Sequence, residues 1–94
     1  KRFKKCVIWG ISGRSVHFLT KNSLDTSLIK FAVDIDPKKQ GKYIPFTGQK
    51  IYSPIKCVVE QPDAVIVLNK IYIEEVKSNF DYNVAILSSE DLYN

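Results

Sequence analysis

The sequence predicts an α/β domain in which helices cover both faces of a mainly parallel sheet. Three observations carry this reading. Short apolar runs rich in β-branched residues recur at 6–9, 28–33, 64–68 and 83–87, the composition of strands buried on both sides. Segments with helical spacing or helix-start chemistry separate them. The first run stops at Gly10 and passes directly into a helix. Alternation of this kind implies right-handed crossovers around a central strand, with the strands ordered 3-2-1-4-5.

The elements follow in order. Cys6-Val7-Ile8-Trp9 is the first strand, and Gly10-Ile11-Ser12-Gly13 the turn after it. A helix is predicted from about Arg14 to Lys21, with Val16, Leu19 and Thr20 facing inward. The polar stretch Asn22–Ser27 ends it, and Leu28–Val33 forms the second strand. Asp36-Pro37 and Gly41 give turn chemistry to the connection that follows, which continues irregularly from Tyr43 to Gly48. Lys50-Ile51-Tyr52 is a short third strand. Ser53-Pro54 starts the next helix, with Ser as N-cap and Pro at the first helical position, and Pro62 limits it to about Gln61. Ala64–Leu68, the most apolar run, is a central strand. Asn69 caps a third helix from about Lys70 to Asn79, with Ile73, Val76 and Phe80 at helical spacing. Asn83–Leu87 is the last strand, and Ser88 with Asp91 resembles a capping box for a final short helix.

With 94 residues the chain fits one small domain, taken as residues 1–94 with a basic tail at 1–5. Hydrophobic residues are 45% and charged residues 26%, which excludes disordered, collagen-like and coiled-coil chains. No apolar run approaches the roughly 18–20 residues of a membrane span, so no membrane partner is expected. The net charge of +4 belongs to Lys1, Arg2, Lys4 and Lys5, because residues 6–94 carry ten basic and ten acidic side chains. That balance lacks the basic stripe of a nucleic-acid binder, and no nucleic-acid partner is expected. Cys6 and Cys57 stand far apart in apolar surroundings, which points to reduced thiols and a cytoplasmic location. The absence of methionine leads us to expect a domain cut from a longer protein.

In a doubly wound, Rossmann-like sheet, ligands bind at the carboxyl ends of the strands beside the first. Here that crevice would gather Gly10–Ser15, Asp34–Tyr43 and Leu68–Lys70. The glycine turn fails the dinucleotide fingerprint, because Ser12 and Ser15 occupy two of its glycine positions, and no Walker A loop exists. A free-standing oxidoreductase is therefore the weakest reading. What remains is an anion site at a helix N-terminus: Gly10, Ser12, Gly13, Arg14 and Ser15. Arg14 in the first turn opposes the helix dipole by about 0.3–1 kcal/mol, and a bound phosphate would reverse that sign. Asp34, at the predicted end of the second strand, stands where ribose hydroxyls are bound in dinucleotide sites, and a turn cap is its alternative. Lys42 lies on the following loop with Lys38 and Lys39, at the rim. His17 alone makes no metal cluster, and Glu74 and Glu75 read as a solvated helix face. Trp9 is read as core before stacking platform, while Tyr43 and Tyr52 suit either a base or the sheet edge.

The stretch Asp34-Ile35-Asp36-Pro37-Lys38-Lys39-Gln40-Gly41-Lys42-Tyr43-Ile44-Pro45, with Val7–Ser15 before it and Thr47, Ile51, Ser53-Pro54 and Pro62–Leu68 after it, resembles the C-terminal domain of sugar C-methyltransferases. The resemblance spans about residues 6–90 and departs at Ser15, Phe46, Lys50 and Leu68. Those enzymes use S-adenosylmethionine to methylate nucleotide-linked deoxysugars. The resemblance implies an accessory domain, without catalytic residues or cofactor of its own, that helps enclose a nucleotide-sugar such as a thymidine diphosphate-linked one. S-adenosylmethionine and zinc would belong to other domains, and the methyltransferase domain of the parent chain would be its partner. The alternative is a degenerate scaffold that packs between domains or subunits without a ligand.

Overall fold

A computed structural model describes residues 3–88. Nine short elements alternate along the chain: β1 (Cys6–Trp9), α1 (Gly13–Lys21), β2 (Ala32–Val33), β3 (Ile51–Tyr52), α2 (Pro54–Glu60), β4 (Ala64–Ile66), a 3-10 turn (Lys70–Tyr72), α3 (Ile73–Lys77) and β5 (Ala85–Leu87). The strands form one sheet in the order β3-β2-β1-β4-β5, and every pairing is parallel. This is the predicted Rossmann-like α/β fold. β1 lies at its centre, with Val7 opposite Val65 and Ile8 opposite both Ala32 and Ile66.

Strand alternation builds the layers, because successive side chains point to opposite faces. Ile8, Ala32, Ile51 and Ile66 pack with Phe18 and Leu19 of α1. Val7, Val33 and Val65 pack with Cys57 of α2 and Val76 of α3. One face thus carries α1 and the other α2 and α3, and Val7, Ile8, Val33 and Val65 are all 0% exposed. Both faces being covered is what allows each strand to be apolar throughout.

The helix starts are those the sequence encodes. Ser53 Oγ accepts the Lys56 amide at 3.2 Å with Pro54 at the first helical position, and α2 ends at Gln61 in the left-handed conformation. Asn69 Oδ1 accepts the Ile71 amide at 3.2 Å, although the chain opens there as a 3-10 turn before α3.

Several expectations are corrected. The buried face of α1 is Ser15, Phe18 and Leu19, with Val16 half-buried and Thr20 exposed. The second strand shrinks to Ala32–Val33, because Asp25 accepts the amides of Leu28 and Ile29 at 3.0 and 2.9 Å and folds that part into a turn. The Ser27 hydroxyl and amide bonded to Asp25 hold its carboxyl below the ordinary value. α3 stops at Lys77, where Asn79 Nδ2 caps the carbonyls of Glu75 and Val76. The Tyr43–Gly48 loop is not wholly irregular: Tyr43 pairs with Lys50 across an antiparallel bridge. The capping box at Ser88 and Asp91 lies outside the described residues.

Two polar anchors fix the irregular segments. Gln49 is 0% exposed; its Nε2 donates to the carbonyls of Leu24 at 2.7 Å and Ile29 at 3.2 Å, and its Oε1 accepts the Thr47 hydroxyl at 2.6 Å. At the chain start, the amides of Lys4 and Lys5 donate to the Asp63 carboxylate at 2.7 and 2.8 Å. Lys5 Nζ also reaches the Glu60 carbonyl at 2.7 Å, so part of the basic start is docked on the domain. Cys57 is fully buried, and burial, with the Glu60 charge second, pushes its thiol up to about 12. No helix among the described residues is long and apolar enough to cross a membrane.

Two predictions follow from these anchors. Gln49→Ala removes the partner of one buried carbonyl, Ile29, one part-buried carbonyl, Leu24, and the Thr47 hydroxyl, and should lower stability by about 1–3 kcal/mol, read as an earlier midpoint in urea. At Asp63, partial burial pulls the carboxyl up, but the two amide bonds outweigh it and depress it below the ordinary 3.8. The stability that this contributes is present above 3.8 and is lost as pH falls through the depressed value. In an acid titration the Lys4 and Lys5 amide resonances should move together with Asp63, and Asp63→Asn should abolish that step.

Candidate functional site

At the carboxyl end of β1, between the segments that follow β1, β2 and β4, a cleft of about 430 Å³ opens. Gly10 makes the exit. Its φ is +94°, and an added Cβ would meet nothing within 4 Å. The glycine is therefore required by the backbone conformation rather than by close approach of another group.

The chain then enters α1 through Ser12, an extended N-cap. Ser15 sits at the third helical position with 2% exposure. Its hydroxyl accepts the Ser12 amide at 2.8 Å and donates to the Ser12 carbonyl at 3.0 Å. This reciprocal closure is the capping arrangement that fixes a helix entry. The serine at the position where the resembling pattern has glycine thus has a structural use here. Gly13 and Arg14 follow the cap, and the first N–H groups of a helix have no intrahelical acceptor. The Arg14 side chain is exposed, lines the cleft and has no acidic partner among the described residues.

Asp34 lines the opposite lip, yet it works inward. Oδ2 accepts the Ile11 amide at 2.8 Å and Oδ1 the Asp36 amide at 2.9 Å. Lys39 Nζ donates to the Ile11 carbonyl at 2.6 Å and stands 3.8 Å from Asp34 Oδ2. The Ile11 peptide is therefore held on its N–H side by Asp34 and its carbonyl is held by Lys39. Gln40 Nε2 adds a bond to the Asp34 carbonyl at 2.8 Å. The loop after β2 grips the turn after β1, and that grip sets the shape of the cleft.

The structure brings Gly10, Ser12, Arg14, Ser15 and Asp34 together around one cavity. Gly13 opens α1 without lining it, and Lys42 is exposed on the loop, its carbonyl accepting the Ile51 amide at 2.8 Å. Trp9 forms part of the floor while meeting Phe80 edge-on at 6.0 Å, so it serves both core and cleft. Tyr52 stacks on Phe31 at 4.3 Å, and Tyr43 lies beneath the Lys50 ammonium; neither lines the cleft. Sequence reasoning missed the wall supplied by α3 and its approach: Tyr72, Glu75 and Val76. The available signal was their spacing of three and four on one helical face. Among the described residues, no group of three or more His, Cys, Asp or Glu could hold a metal ion. The cleft thus sets the N-terminal turn of α1 and the exposed Arg14 guanidinium beside apolar lining from Trp9, Val67 and Leu68.

The family described as C-methyltransferase C-terminal domain matches residues 1–85. A search of curated proteins found no match.

Asp34→Ala should leave the Ile11 and Asp36 amides without their carboxylate acceptor and remove the charge beside the Lys39 ammonium. We expect a loss of about 1–3 kcal/mol in urea unfolding, with amide shift changes concentrated at Gly10–Ser12 and Asp36–Lys39.

Proposed function

The chain belongs to the C-methyltransferase C-terminal domain family, and from that premise we propose that it is the accessory nucleotide-sugar-binding domain of an S-adenosylmethionine-dependent sugar C-methyltransferase. The observation that carries this reading is the cleft at the end of β1, with an Arg14 in the first turn of α1 that has no acidic partner among the described residues. An arginine there is unfavourable by about 0.3–1 kcal/mol in an empty domain and favourable beside a diphosphate. The amides of Gly13 and Arg14 supply neutral donors to the same anion. Arg14 is the charge that grips the diphosphate. Asp34 and Ser15 shape the cleft from behind. The methyl donor and the transfer chemistry belong to the methyltransferase domain of the parent chain, in the cytoplasm.

A second reading, a packing module without ligand, is favoured by one observation. Ile55 and Val59, four apart on α2, are 79% and 70% exposed, an apolar stripe that suits burial against another surface.

An amide NMR titration with a thymidine diphosphate-sugar separates the two. The nucleotide reading expects shifts at Gly10–Ser15, and Arg14→Ala should weaken binding about fivefold, the equivalent of about 1 kcal/mol. The same variant should leave the ligand-free domain as stable as before or slightly more so. Equal affinity in wild type and Arg14→Ala removes the phosphate role of Arg14. No shifts at millimolar ligand favours the packing module.

A further inference from the structure

The cleft has two sides, and they are built differently. On the β2 side its wall is Asp34 and Ile35. Asp34 is 9% exposed, and both its carboxylate oxygens already accept backbone amides, at 2.8 and 2.9 Å. Lys39 is committed to the Ile11 carbonyl on the same side. In dinucleotide-binding sheets the acidic residue at this place receives ribose hydroxyls. Here a hydroxyl would compete with charge-assisted bonds that hold the turn itself, which are the stronger class.

The other side is open for recognition. Tyr72 and Glu75 are three residues apart on continuous helical backbone, and both line the cleft. Tyr72 as a residue is about half exposed, at 49%. The Glu75 carboxylate has no hydrogen-bond or ionic partner among the described residues, while its carbonyl accepts from Ser78 and Asn79. A carboxylate in a cleft shared with Arg14 repels a bare diphosphate. It favours a ligand whose far end offers a hydrogen-bond donor. A flat aromatic face beside such an acceptor suits a planar base that carries an N–H.

We infer that the nucleobase lies on the α3 side of the cleft, stacked on Tyr72 with an N–H donated to Glu75, and not on the β2 side. This rests on the nucleotide reading of the cleft given above. Tyr72 and Glu75 are then the residues that distinguish a nucleotide from a simple diphosphate, and Arg14 the one that does not.

The test compares inorganic pyrophosphate with thymidine diphosphate, in wild type, Tyr72→Ala and Glu75→Gln, by amide NMR titration. Thymidine diphosphate should bind wild type more tightly than pyrophosphate and should shift Tyr72–Val76 as well as Ser12–Ser15. Each variant should lose roughly three- to tenfold of the thymidine diphosphate affinity without weakening pyrophosphate. Unchanged thymidine diphosphate affinity in both variants overturns the inference. So do shifts confined to Ile35–Lys39 outside the helix entry. Both results leave the nucleotide reading standing, since the helix entry still responds. If neither probe shifts Ser12–Ser15, the nucleotide reading fails and the inference falls with it. Because Tyr72 and Glu75 are solvent-facing, the pyrophosphate titration in the same variants reports whether the domain is still folded.

Discussion

Everything in this domain is arranged around a strand of four residues with a hydrogen-bonded neighbour on each side. β1 pairs with β2 along one edge and with β4 along the other, so it has no edge left for solvent. Its inner residues Val7 and Ile8 point to opposite faces and are both 0% exposed. Each face must therefore be roofed by helix, and the chain has to cross first to one side and then to the other. That reversal leaves the carboxyl end of β1 uncovered by either crossover. The cleft is a geometric result of the burial, and the residues that happen to stand there inherit its chemistry.

Short strands make this arrangement depend on polar fasteners. With only two or three residues in β2, β3, β4 and β5, ladder bonds alone do not hold the connections. Asp34 and Lys39 fasten the first turn to the second loop, and Gln49 fastens that loop to the segment before β2. Asp34 and Gln49 are among the least exposed polar residues described, and no buried side-chain nitrogen or oxygen among the described residues lacks a hydrogen-bond partner. A buried amide or carboxylate of this kind is tolerated only when its bonds are complete, which makes it a strict constraint on loop conformation.

The sheet order was legible because it follows from periodicity and from chain connectivity, both local properties. So was the entry to α2, where Ser53-Pro54 has one physical meaning, and the need for glycine at position 10. The cleft was legible in position but not in composition. Asp34 looked like a ligand group because its place in the sequence matches one. Its true partner, the Ile11 amide, is 23 residues away and comes close only when β2 lies beside β1. Gln49 was passed over for a similar reason: glutamine is usually a surface residue, and nothing nearby in the sequence offers the two carbonyls that it reaches. Glu75 was hidden because, with Glu74, it read as a solvated helix face, and Tyr72 carried no signal of its own; both line the cleft.

Cys57 gives the domain a clock. Its sulfur lies under α2 against the sheet face opposite α1, and burial keeps the thiol near 12, so the reactive thiolate is all but absent while the helix is docked. An alkylating reagent can reach it only during excursions in which α2 lifts away. When reclosing is fast, the labelling rate measures the free energy of that excursion. A ligand in the cleft slows the clock only if the opening that frees Cys57 also dismantles the end of β1. Two rates, with and without ligand, therefore tell whether the two faces of this small sheet come apart together or separately.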